Sequence, residues 1–140
     1  MIERYTRSEM GRLWTEEAKW EAWLEVELAA CEVLAARGAF PASDMATIRE
    51  KAAFDAARIE EIEAEVGHDV IAFLTSVAEK VGPASRHIHH GLTSSDVVDT
   101  AQQFAKSNLD YGIAYFRILG QGGFGDTPDR ASYLLLCLRR

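Results

Sequence analysis

The residues best suited to chemistry lie in one run, His87-Ile88-His89-His90-Gly91-Leu92-Thr93-Ser94-Ser95-Asp96. Imidazoles stand before a glycine turn and hydroxyls follow it. Imidazoles exchange protons and hydrogen bonds near neutral pH. Thr93 and Asp96, three residues apart, approximate a capping box, and Val97-Val98 then opens an apolar pattern. A helix is therefore predicted to begin at Thr93 or Ser94. The first N–H groups of a helix have no partner within it and carry partial positive charge, so they form a receptor for a carboxylate or phosphate. An anion seat beside proton-carrying groups reads as part of an active site.

Two other segments have the same character, Arg4-Tyr5-Thr6-Arg7 and Gly67-His68-Asp69-Val70. Each falls in a loop or at a helix end, where backbone groups and side chains can meet a ligand. Arg4 could fork onto a phosphate, with the Tyr5 hydroxyl adding a directional bond. His68 stands at a helix entrance, where Asp69 would fix its tautomer or help start the helix. The histidines do not suit zinc, because His87 and His89 are only two apart and no matching cysteine or carboxylate pair accompanies them. Neither a metal nor a cofactor is expected. A serine triad of Ser94, His68 and Asp69 fails as well: adjacent His and Asp do not orient as that relay requires, and no nucleophile elbow is present.

The elements that must position these residues are helical throughout. Residues 15–37 read as one helix with Thr15 as N-cap, Glu16 and Glu17 at its positive end, and Gly38 and Pro41 beyond its end. Trp20, Leu24, Leu28, Cys31 and Leu34 form its apolar stripe, widened by Trp23, Val26, Ala30 and Val33. A second helix is predicted from Ser43 or Asp44 to about Ala53. A third starts at Asp55 and ends near Val66, with Ile59 and Ile62 inward and Glu60, Glu61, Glu63 and Glu65 solvated. After Gly67-His68-Asp69 comes a helix with Val70, Ile71, Phe73, Leu74 and Val77 inward, ended by Gly82-Pro83. The last runs from about Ser94 to Leu109 or slightly beyond. No strand period or internal repeat occurs before residue 110, so the fold class is all-α. Gly120, Gly122 and Gly125 formally spell G-x-G-x-x-G, but no strand precedes them and Asp126-Thr127-Pro128-Asp129 follows, so a turn is the better reading.

Taken together, Met1-Ile2-Glu3-Arg4-Tyr5-Thr6-Arg7, Trp23-Leu24-Glu25-Val26-Glu27, His68-Asp69-Val70-Ile71-Ala72-Phe73 and His89 to Thr100 resemble the adenylosuccinate lyases of the fumarase/aspartase superfamily. The resemblance covers roughly residues 1 to 105, and Gly91 to Thr100 is its most specific part. It implies the N-terminal helical domain of that fold over 1–110, with the start of a long central-bundle helix, and a divergent tail over 111–140. It also implies β-elimination of fumarate from adenylosuccinate, giving AMP, and from the succinylated aminoimidazole carboxamide ribotide of purine biosynthesis. Carried across by position, Arg4 and Tyr5 contact the nucleotide. Gly67, His68 and Asp69 line the substrate, with His68 assisting proton transfer or orienting it. His89 contacts phosphate or substrate, and Thr93 and Ser94 hold a carboxylate. On this reading Thr93–Ser94 and His68 come together around a succinyl anion.

Family members are longer and form homotetramers that build each active site from three subunits. The later histidine segment and the mobile Ser-rich loop that provide the principal proton-transfer groups are not found here. The isolated chain is therefore expected to be inactive, and a frameshift after Lys106 would account for residues 111–140. The alternatives are another lyase or cycloisomerase of the superfamily, and a non-catalytic helical interaction module whose broad apolar helix 15–37 seeks a partner.

The bulk properties are ordinary for a soluble globular protein. The 140 residues suffice for one core, with 48% hydrophobic and 26% charged residues. A net charge of −7 argues against nucleic-acid binding, which needs a basic face, but not against a small anion bound by local geometry. Cys31 and Cys137 are too few for a disulfide framework. The start of the chain lacks the apolar core of a secretory signal, and the longest apolar run, Tyr133 to Leu138, is far short of the ~20 residues of a membrane span. A cytoplasmic location and no membrane partner are expected.

Overall fold

The computed structural model describes residues 11, 12 and 14–108, with side chains as far as residue 103. Arg4, Tyr5 and the expectations for 111–140, the glycine-rich stretch included, lie outside the described residues. Within them the regular structure is helical, with no strand, in agreement with the all-α expectation.

Helix α1 (Glu16–Ala36) starts where its cap predicts: the Thr15 hydroxyl accepts the Ala18 N–H at 3.1 Å, and Glu16 and Glu17 face the positive end. Its buried stripe differs from the expected one. Trp20, Trp23, Val26, Glu27, Ala30 and Cys31 are buried, whereas Leu24, Leu28 and Leu34 are half-buried at its margin. Helical periodicity fits both stripes, and the tryptophans decide between them by packing on Phe73. Trp20 lies parallel to that ring at 5.8 Å and Trp23 meets it edge-on at 5.6 Å, both within favourable aromatic geometry.

Helix α2 (Ala42–Lys51) begins after Pro41 with no side-chain cap, one or two residues before the predicted start, and stops two residues before Ala53. Asp44 does not cap it because its carboxylate is committed elsewhere, to Arg86 and His87. Helix α3 (Ala56–Val66) is capped by Asp55, whose carboxylate accepts the Arg58 N–H at 3.2 Å. It ends at Gly67, whose φ of 64° is left-handed and costs glycine nothing. Helix α4 (Asp69–Val81) follows at once, so α3 and α4 form a hairpin. Arg58 near the start of α3 pairs with Glu79 near the end of α4 at 3.0 Å, and the Asp55 N–H donates to the buried Ser76 hydroxyl at 3.1 Å. On α4, Val70, Phe73 and Val77 are buried and Leu74 half-buried as expected, but Ile71 is 49% exposed.

A short 3-10 helix (Gly82–His87) leads from α4 into the histidine turn, and α5 (Ser94–Asn108) then packs along α1. The core lies where these helices meet: Phe73, Ile48, Ile59, Val26, Val70, Val77 and Val97 are almost wholly removed from solvent. Among the described residues no helix is long and apolar enough to cross a membrane.

Candidate active site

The histidine turn is gripped from below by α1. Glu27 is 1% exposed, an arrangement a carboxylate tolerates only when well paired. Both its oxygens are used by one residue: Oε2 accepts the His89 backbone N–H at 2.9 Å, and Oε1 meets His89 Nδ1 at 2.6 Å. Burial pushes the Glu27 carboxyl above its ordinary value, while the bonds and charge of His89 act in the opposite sense. His89 sits at φ 62°, a left-handed conformation uncommon for a residue with a side chain. The two bonds to one carboxylate hold it there.

One helical turn further along α1, the Cys31 thiol donates to the His87 carbonyl at 3.5 Å. Burial, then the charges of Glu27 and Glu32, push that thiol up to about 12, so it remains an S–H donor. From the other side, the His87 ring stacks on Phe40 with centroids 4.3 Å apart. His87 Nε2 lies 3.0 Å from Asp44, which Arg86 also bonds at 2.8 Å. His87 is thus built into the framework. His90 is exposed.

At the start of α5 the capping box forms as predicted. Asp96 accepts the Thr93 N–H at 2.7 Å and the Thr93 hydroxyl at 2.8 Å, and the Asp96 N–H reaches back to Thr93 Oγ1 at 3.3 Å. The backbone and then the side-chain bonds from Thr93 hold the Asp96 carboxyl below its ordinary value, with His89 contributing a smaller charge effect. In this state the Thr93 hydroxyl proton belongs to Asp96. Ser94, the first residue of the helix, is half-buried.

His68 is the N-cap of α4. Its Nδ1 accepts the Ile71 N–H at 3.4 Å, so in the neutral ring the proton resides on Nε2. Asp69 accepts the N–H of Val70 at 2.7 Å and lies 3.6 Å from His68 Nδ1. Gly67 supplies the turn before them. A groove of about 290 Å³ runs beside this helix end, lined by Ile71, Leu74, Thr75 and Ala78 of α4 and by Ser85, Ile88 and His89. The exposure of Ile71, unexpected from periodicity, is explained by this groove.

His89 therefore faces the α4 segment that His68 caps, and the turn bond from Leu92 N–H to the His89 carbonyl at 3.4 Å leads on to Thr93. Among the described residues no hydrogen bond or ion pair joins His68 to His89, Thr93 or Ser94. Nor does any group of three or more His, Cys, Asp or Glu side chains offer a metal site among them. Glu27 was not a candidate from sequence, yet a signal existed. It occupies a position of the Trp20, Trp23, Ala30 and Cys31 stripe, where a charge must find a buried partner.

No protein-family model matches the chain. Individual relatives do. It is 59% identical over 101 residues to the adenylosuccinate lyase of Synechocystis sp., covering 72% of this chain and 23% of that protein. It is 52% identical over 104 residues to the adenylosuccinate lyase of Staphylococcus saprophyticus and 51% over 104 residues to that of Bacillus subtilis, covering 74% of this chain and 24% of each. The described residues are helical and the similarity extends over about three quarters of the chain. Over the matched residues it is similar to these adenylosuccinate lyases, and it spans about a quarter of the length of the curated relatives it matches.

Proposed function

We propose that this chain forms the N-terminal helical part of an enzyme that eliminates fumarate from adenylosuccinate, and from the succinylated aminoimidazole carboxamide ribotide, in purine biosynthesis. The observation that carries this reading is identity of 51–59% to adenylosuccinate lyases over about three quarters of the chain. Residues 1–110 would be the helical domain and 111–140 a divergent tail.

In β-elimination a base removes a proton beside a carboxylate, charge accumulates on that side, and an acid protonates the departing nitrogen. Donors must be focused on the succinyl carboxylates as charge develops. Ser94 and the N–H groups opening α5 supply such donors, with Thr93 held in register by Asp96. Thr93 can offer its own proton only if the ligand displaces Asp96. His68 keeps Nε2 available for proton transfer or for orienting the substrate, and Gly67 and Asp69 shape the segment around it. His89 contacts phosphate or substrate from the groove wall. Arg4 and Tyr5 contact the nucleotide. A homotetramer with composite active sites, in the cytoplasm, completes the reading.

Binding is the appropriate test for a chain that spans about a quarter of its relatives. Titration with AMP, followed by NMR, is expected to shift the His68 and His89 ring signals selectively. Unmoved spectra at millimolar AMP would count against a purine-nucleotide site and in favour of an interaction module.

A further inference from the structure

The Glu27–His89 pair does more than close a turn. A turn of this kind can be held by glycine at the left-handed position and a backbone acceptor, neither of which requires burying a charge. Here a carboxylate is buried to 1% exposure, and its two oxygens are divided between the backbone and the ring of the same residue. The ring can make the 2.6 Å contact to an ionised carboxylate only with a proton on Nδ1. That leaves Nε2 as the nitrogen able to accept a proton or meet a ligand, and among the described residues Nε2 has no partner. The ring itself lines the groove with Ile71, Leu74 and Ile88, and its side chain keeps 23% exposure.

We propose that Glu27 is a positioning residue of the active site: it holds His89 with a proton on Nδ1 and in a strained backbone conformation, and steadies the ring when Nε2 takes up a second proton and donates it to the ligand's anionic group. A buried acceptor behind an imidazole fixes both the ring's orientation and the atom that carries its exchangeable proton. The inference rests on the functional reading above for the identity of that ligand, but not for the lock.

The test uses the full 140-residue chain, uniformly labelled with 15N. Long-range 1H–15N spectra are expected to show His89 protonated at Nδ1 with Nε2 free, and AMP is expected to shift Nε2 while leaving Nδ1 in place. In Glu27→Gln one oxygen is replaced by a donor that opposes a His89 N–H, and the charge that steadies the doubly protonated ring is lost, so the neutral Nε2–H tautomer should appear and AMP affinity fall about tenfold or more. His89→Gly relaxes the backbone and deletes the ring. Combining it with Glu27→Gln should cost no further affinity, because Glu27 acts through His89. A wild-type ring found in the Nε2–H tautomer overturns the inference, and this measurement needs no variant to fold. Equal losses from Glu27→Gln with and without the His89 ring overturn it too, since they mark a purely structural effect. A locked ring that ignores AMP supports the lock and places the failure with the nucleotide reading.

Discussion

His68 combines a capping bond with a proposed ligand role, and substitution can separate the two. As N-cap it satisfies the Ile71 N–H through a bond of 3.4 Å, while Nε2 stays available for chemistry. His68→Ala should destabilise the chain by about 0.5–1 kcal/mol, the lower part of the range for lost caps, because the bond is long. His68→Asn should restore most of that stability, asparagine being a preferred cap, without restoring the AMP-dependent shift; urea titration and NMR would check the two effects separately. Glu27 makes a different prediction. Its folded-state pKa is raised above the ordinary 4.5, so the folded chain holds that proton more tightly than the unfolded one. The stability this provides is complete below the ordinary carboxylate range and is lost as pH rises through the raised value. Urea midpoints across a pH series should show wild type falling relative to Glu27→Gln over that interval. A constant difference would mean that burial has not shifted this carboxyl.

At the scale of elements, helix ends carry the proposed site, and their capping was readable in the sequence. The capping box at Thr93 and Asp96 was visible in the spacing, and Thr93→Ala should cost about 1 kcal/mol. Asp96 has its pKa lowered from 3.8, so the support it gives is present at higher pH and is lost as pH falls through that depressed value. Hydrogen exchange at the first amides of α5 should accelerate in strong acid in wild type, and this acid-induced change should be absent in Asp96→Asn. At Gly67 a Cβ would meet nothing within 4 Å, so Gly67→Ala tests the backbone alone. The left-handed φ of 64° predicts a loss of about 1 kcal/mol with no change in packing. Asp44 shows the limit of such reading. An aspartate near a helix start looks like a cap, but a distant arginine and histidine claimed it, and the helix opened at Pro41.

For the whole molecule, Phe73 joins the hairpin of α3 and α4 to α1, touching Trp20, Trp23 and Phe54 while wholly buried. Phe73→Ala should cost about 3–5 kcal/mol, a large share of the stability of a small domain. The same helices fix the histidine turn and the groove wall. This core substitution should therefore also broaden the His89 ring signals, although it touches no proposed ligand contact. Sharp, unshifted His89 signals in a Phe73→Ala chain that remains folded would show that the turn is independent of the core.

Short-range information determined the helices and their caps in this chain. Thr15, Asp55 and Thr93 act on N–H groups only a few residues away, and Gly67 acts through its own φ, so local order was enough to place them. The lyase resemblance was legible for the same reason, carried by contiguous motifs later matched by relatives of known name. Tertiary structure decided what linear order does not contain: which face of α1 the tryptophans take, why Ile71 stays in a groove, and that Glu27 reaches 62 residues along the chain to His89. A helical stripe states which residues share a face, but only the packed helices supply a buried charge with its partner.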